Sequence, residues 1–261
     1  MRTSQSVRIM RRMANPLPIR SGNPALGEDT FRGTRVTRGE AMTVGGTVNK
    51  TALALAILMA AAATVWNLGA RDARVPGLTM VGLLGGLVLA VATIWKKEWA
   101  PITTPLYAAC EGLALGGISI GFEMRYPGLV AQAVFLTFGV LAALLAAYRS
   151  GLIRMTDNLR LGLVAATGGI GVVYLIDFVM HFFGAGVPLI RGSSPIGIGF
   201  SLVVVAIAAF NLVLDFDFIE RGADSGAPKY MEWYGAFGLL VTLVWLYLEL
   251  LRLLSKLQER R

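Results

Sequence analysis

Residues 76–95 read PGLTMVGLLGGLVLAVATIW and residues 128–148 read GLVAQAVFLTFGVLAALLAAY, and neither stretch holds a charge. A helix needs about 20 largely apolar residues to cross a bilayer, and each stretch supplies them. Five further runs qualify, at 49–69, 101–121, 158–182, 195–219 and 231–254. Backbone polar groups in lipid must be satisfied within the segment or in a closed barrel. The alternating pattern of a membrane barrel is absent, so the runs predict helices. The expected fold is all-α: a polytopic membrane protein with a seven-helix bundle over 49–257.

Composition agrees. Of 261 residues, 55% are hydrophobic and 15% charged, against about 25% charged in soluble domains. Such hydrophobicity excludes disorder along the whole chain. One cysteine, Cys110, excludes an internal disulfide, and one histidine, His181, excludes a multi-histidine metal site. Residues 1–48 differ in kind, with eight Arg, three acids and three Pro. They predict a disordered basic tail lying on anionic head groups, and residues 258–261 form a second basic end. An N-terminus in the cytoplasm puts sixteen Lys and Arg on that side and eight on the other. Excess positive charge marks the cytoplasmic side, so the N-terminus is expected there, in a bacterial inner membrane. Three clusters of small residues, at 82–86, 112–117 and 166–171, read as packing surfaces between helices.

An acid in the middle of a membrane is costly, about 2.5–3.5 kcal/mol or more, and is a functional candidate for that reason. Five fall away from the first residues of the spans: Glu111, Asp177, Asp215, Asp217 and Glu249. Lys50, Arg160 and Arg252 lie near span ends and are expected to snorkel to the head groups. Asp215 shares a helix face with Asn211, one turn earlier, and is expected to face the bundle. Asp217 lies about 200° further round and is expected at the interface. Glu249 has Arg252 three residues on, the spacing of a structural ion pair. Glu111, central in its span, is expected to face the bundle. Asp177 and His181 form an i,i+4 pair near a span end. No arrangement of an intramembrane serine, aspartyl or metalloprotease is present, and no enzymatic activity is expected. The basic tail has no interleaved aromatics, so nucleic acid is not an expected partner.

Three segments resemble the Bax inhibitor-one family, also called the transmembrane Bax inhibitor motif family, in its bacterial-type branch. They are MTVGGTVNKTALALAIL at 42–58, PLYAACEGLALGGIS at 105–119, and the stretch from FNLVLDFDFIERG at 210–222 through PKYMEWYGAFGLLVTLVWLYLELLRLL at 228–254. The resemblance implies a central seventh helix, a pH-sensitive calcium leak and a role in stress response. It also implies a carboxylate pair from helices six and seven as the pH latch. Asp215 matches the helix-six member. Two alignments are open for helix seven: one places Glu249 at the acidic position, the other Thr242. The family's acid in helix two has no counterpart, and Glu111 in helix three is the substitute considered. Two close carboxylates in low dielectric cannot both ionise cheaply and share a proton. Hard oxygen ligands suit calcium, here a transient ligand at most, with no bound cofactor expected. The alternative is a regulator that transports nothing and binds another membrane protein. The oligomeric state is not legible in the sequence.

Overall fold

The computed structural model describes residues 41–184, 187, 190 and 192–260. Most of the predicted basic tail, residues 1–40, lies outside the described residues, as does Arg261 at the C-terminal end. Seven long helices follow one another: α1 Val44–Leu68, α2 Arg74–Trp95, α3 Ala100–Arg125, α4 Leu129–Arg149, α5 Asp157–Phe182, α6 Pro195–Asp224 and α7 Met231–Glu259. Each is long and apolar enough to cross a membrane. The first begins five residues before the predicted span, inside the stretch read as tail. Thr43 explains the early start: its side chain accepts the Gly46 N–H at 3.0 Å and caps the helix. Thr156 and Ser194 cap α5 and α6 in the same way, and Pro195 occupies the first turn of α6.

The bundle is built around α7. Over its apolar window α7 is 72% buried, whereas the other six helices range from 11% to 44%. It packs against α1, α3, α4 and α6, while α5 leans on α6 and α2 on α3. Tyr234, Phe237, Leu240, Leu246 and Leu251 of α7 are fully enclosed. The outer faces carry large apolar side chains, Leu87, Val88 and Phe135 among them, as lipid-facing surfaces must. Trp95 and Trp99 stand exposed at the α2–α3 connection, where amphipathic rings suit the head-group level.

Two of the three glycine clusters pack as expected. A Cβ on Gly82 would meet the Ala114 backbone N at 2.6 Å, and one on Gly112 would meet the Leu58 carbonyl oxygen at 2.3 Å. These contacts let α1, α2 and α3 approach backbone to backbone. The glycines of the third cluster do not: Gly168, Gly169 and Gly171 of α5 meet no other helix among the described residues. The packing role expected for the glycines of 166–171 is therefore corrected. The side of α5 that meets protein carries Thr167 and Tyr174, and these glycines lie off it.

Candidate functional site: a buried carboxylate between helices six and seven

Asp215 is fully buried, and its Oδ2 accepts the Thr242 hydroxyl at 2.6 Å. The two residues meet because their helices run antiparallel with matched depth. Asp215 lies nine residues from the end of α6, and Thr242 eleven from the start of α7. The sequence ends the sixth span at 219; the helix continues to Asp224, so Asp215 is deeper than expected. One turn earlier, the amide nitrogen of Asn211 donates to Thr167 Oγ1 of α5 at 2.9 Å and to the Ile207 carbonyl at 2.8 Å. Its Oδ1 is buried with no hydrogen-bond partner among the described residues, leaving an unspent acceptor on the face that carries Asp215. The bundle-facing placement of Asn211 and Asp215 is thus observed.

Glu249 is held elsewhere. It lies seven residues beyond Thr242, about 10 Å along the helix. Its carboxylate receives Arg252 at 2.8 Å, the Tyr174 hydroxyl of α5 at 2.9 Å and the Trp245 indole N–H at 3.3 Å. The i,i+3 pair legible in the sequence is present, and the arrangement is a clamp between α7 and α5. Glu111 occupies a third seam. It is half-buried beside Tyr107, and a Cβ on Gly86 of α2 would come within 3.2 Å of its Oε1. The acids considered for the latch and ion pathway, Asp215, Glu249 and Glu111, therefore sit in three seams, and the structure joins Asp215 to Thr242.

Asp217 meets α5 in a charged cluster near the helix ends. Its Oδ2 lies 2.5 Å from an Arg160 amino nitrogen and 2.9 Å from Arg221 Nε. Arg160 was expected to snorkel; instead it is 2% exposed and turned inward. A guanidinium can be enclosed here because Asp217 and, at 3.7 Å, Asp157 neutralise it. Asp177 accepts the Val187 N–H at 2.8 Å and so fastens the loop after α5, while His181 is exposed.

Two enclosed charges escaped the sequence reading. Glu232, in the first turn of α7, is completely buried yet receives Lys229 at 2.8 Å, Lys50 at 2.9 Å and the Thr43 N–H at 3.0 Å. Lys50 therefore pairs with Glu232 at the helix entries while its side chain stays 25% exposed. Together with the Met42 N–H donated to the Ala227 carbonyl at 2.7 Å, this ties the entry of α1 to the entry of α7. Gly46 is required there, because a Cβ would fall 2.0 Å from Glu232 Oε1. The Lys229–Glu232 spacing of three was the available signal. Lys256 is 3% exposed and donates to the Gly197 carbonyl at 3.1 Å and Ser201 Oγ at 2.8 Å. It sits at the opposite end of the bundle from Asp215.

A family model described as Bax inhibitor 1 like matches residues 23–259. The chain belongs to that family. No curated protein and no solved structure matches it. For this member of the Bax inhibitor family, the expected central seventh helix is observed, whereas Thr242 holds the place opposite Asp215.

Proposed function

We propose that this Bax inhibitor family protein is a pH-sensitive ion leak controlled at the Asp215–Thr242 contact, with calcium as the transported ion. The observation that carries the reading is the enclosed carboxylate at 0% exposure, sealed by a hydroxyl between the central helix and α6. A cation passing this level would replace the Thr242 O–H as the carboxylate's partner. It would find a second oxygen one turn away in Asn211 Oδ1. Protonating Asp215 removes the charge that the cation needs, which couples passage to pH. A leak works with few ligands, because the ion must also leave. Among the described residues no group of three His, Cys, Asp or Glu is placed to hold a metal. We place the N-terminus, the α2–α3 and α4–α5 connections and the α6–α7 turn in the cytoplasm, on the basic-residue count.

The test is calcium flux against pH in liposomes containing only this protein. Asp215→Asn should abolish the pH-dependent step, Thr242→Ala should raise the flux, and Glu249→Gln should keep the parental profile. A parental profile in Asp215→Asn would remove the leak mechanism. If the parent carries no flux at any pH, the regulator reading takes its place. One observation favours that reading: the open glycine face of α5 suits close approach by another membrane helix.

A further inference from the structure

The cytoplasmic end of α4 carries a second polar feature that the leak does not use. A cleft of about 440 Å³ opens between the end of α4, the 150–156 loop and the end of α6, with Tyr148, Arg149, Arg154, Asp217 and Glu220 on its walls. We infer that this cleft binds the phosphate of an anionic phospholipid from the facing leaflet.

Three observations lead there. First, the acids in the cleft are already engaged. Asp217 is held by Arg160 and Arg221, and Glu220 accepts the Tyr148 hydroxyl. Asp157 stands against Arg160 on the outer side. Second, Arg149 and Arg154 are exposed, and among the described residues neither has an ion-pair or hydrogen-bond partner. The end of α4 does not need them. Its last carbonyls are capped by the loop itself: Ser150 N–H to Ala146, Leu152 N–H to Ala147 and Gly151 N–H to Tyr148, at 2.9–3.0 Å. Four guanidiniums thus face three carboxylates, and the two unspent ones are the two that line the opening. Third, exposed apolar side chains flank the cleft at the end of a membrane-spanning helix. Leu152, within the loop, is 82% exposed, and Leu145 and Leu161 on the flanking helices also turn outward. Apolar side chains at a span end suit contact with acyl chains, and arginines beside them suit contact with lipid phosphates. Guanidinium forks match phosphate oxygens in pairs, and basic pockets between membrane helices bind lipid head groups in this way.

The experiment uses the full chain in detergent and in nanodiscs, with lipid binding read by native mass spectrometry. The probes are phosphatidylglycerol, phosphatidylcholine and inorganic phosphate. The parent should prefer phosphatidylglycerol over phosphatidylcholine, and Arg149→Gln/Arg154→Gln should reduce that preference about tenfold. Both side chains are exposed and bond nothing among the described residues, so the variant should fold, which its thermal transition verifies. Arg71→Gln, on the opposite side of the membrane, should leave the preference unchanged. Equal binding of phosphatidylglycerol by parent and double variant overturns the site. Full displacement of phosphatidylglycerol by millimolar inorganic phosphate overturns the lipid as its source.

Discussion

Asp215 and Asp217 are two residues apart on one helix, and they live in opposite electrostatic worlds. Asp215 is answered by a hydroxyl at 2.6 Å on the central helix, Asp217 by two guanidiniums at 2.5 and 2.9 Å. The helical offset of about 200° sends one into the bundle and the other toward α5. The difference separates a structural acid from one that can exchange partners. A cation would have to displace two arginines from Asp217, one of them enclosed. At Asp215 the Thr242 contact to be displaced is a neutral O–H. A hydrogen bond to a charged group contributes about 1.5–3 kcal/mol, an interaction that a divalent ion can replace.

The largest expected effect breaks the Asp217 side. Asp217→Ala takes from Arg160, whose side chain is 3% exposed, its closer carboxylate and leaves Asp157 at 3.7 Å. Removing one partner of an enclosed ion pair costs about 3 kcal/mol or more. Thermal unfolding in detergent should show it, and a loss under about 1 kcal/mol would mean that Arg160 finds water. An intermediate effect belongs to Glu249→Gln. Its partner Arg252 is 35% exposed and can turn outward, so the loss should be about 1 kcal/mol, with α5 loosened from α7. The contrast is sharpest in Asp215→Asn. The amide oxygen still accepts from Thr242, so stability should change by less than about 1 kcal/mol while the pH dependence of flux disappears. Stability and flux failing together in Asp215→Asn would give both aspartates a structural role.

The long-range facts were legible, and the facts about faces were not. An uncharged run such as 76–95 can only be a span, so the helix count follows from length and hydropathy. Helical angle alone separated Asp215 from Asp217, and spacing alone paired Glu249 with Arg252. What failed needed a neighbour's position. The clusters at 82–86, 112–117 and 166–171 look alike as strings, yet only the first two meet another backbone. Arg160 reads as a snorkelling end residue until α6 brings Asp217 against it. Glu232 reads as an edge acid because Lys50 and Thr43 lie over 180 residues away in the chain. The depth of Asp215 depended on five residues at the end of α6 that carry charge and so look like a loop.

The smallest expected effect tests whether pairing alone gives Asp217 its weight. Asp72, in the α1–α2 connection, is paired as fully as Asp217, but in water. Its carboxylate receives Arg74 side-chain nitrogens at 2.7 and 3.0 Å and the Arg74 backbone N–H at 2.9 Å. The side-chain hydrogen bonds from Arg74, then the backbone one, hold its carboxyl well below the usual range, at about 2. An unfolded Asp titrates near about 3.9. A folded value below the unfolded one contributes stability that is full above the unfolded value and is lost as pH falls through the folded one. The contribution of Asp72 should therefore be constant from neutral pH down to about 5 and fade between about 4 and 2. Comparing the thermal transitions of Asp72→Asn and the parent at pH 6 and pH 3 measures it. The gap should be small at pH 6, as for exposed pairs generally, and should narrow further at pH 3. A gap at pH 6 as large as that of Asp217→Ala would show that pairing, not burial, sets the strength of these acids. The distinction between the two faces of α6 would then lose its energetic basis.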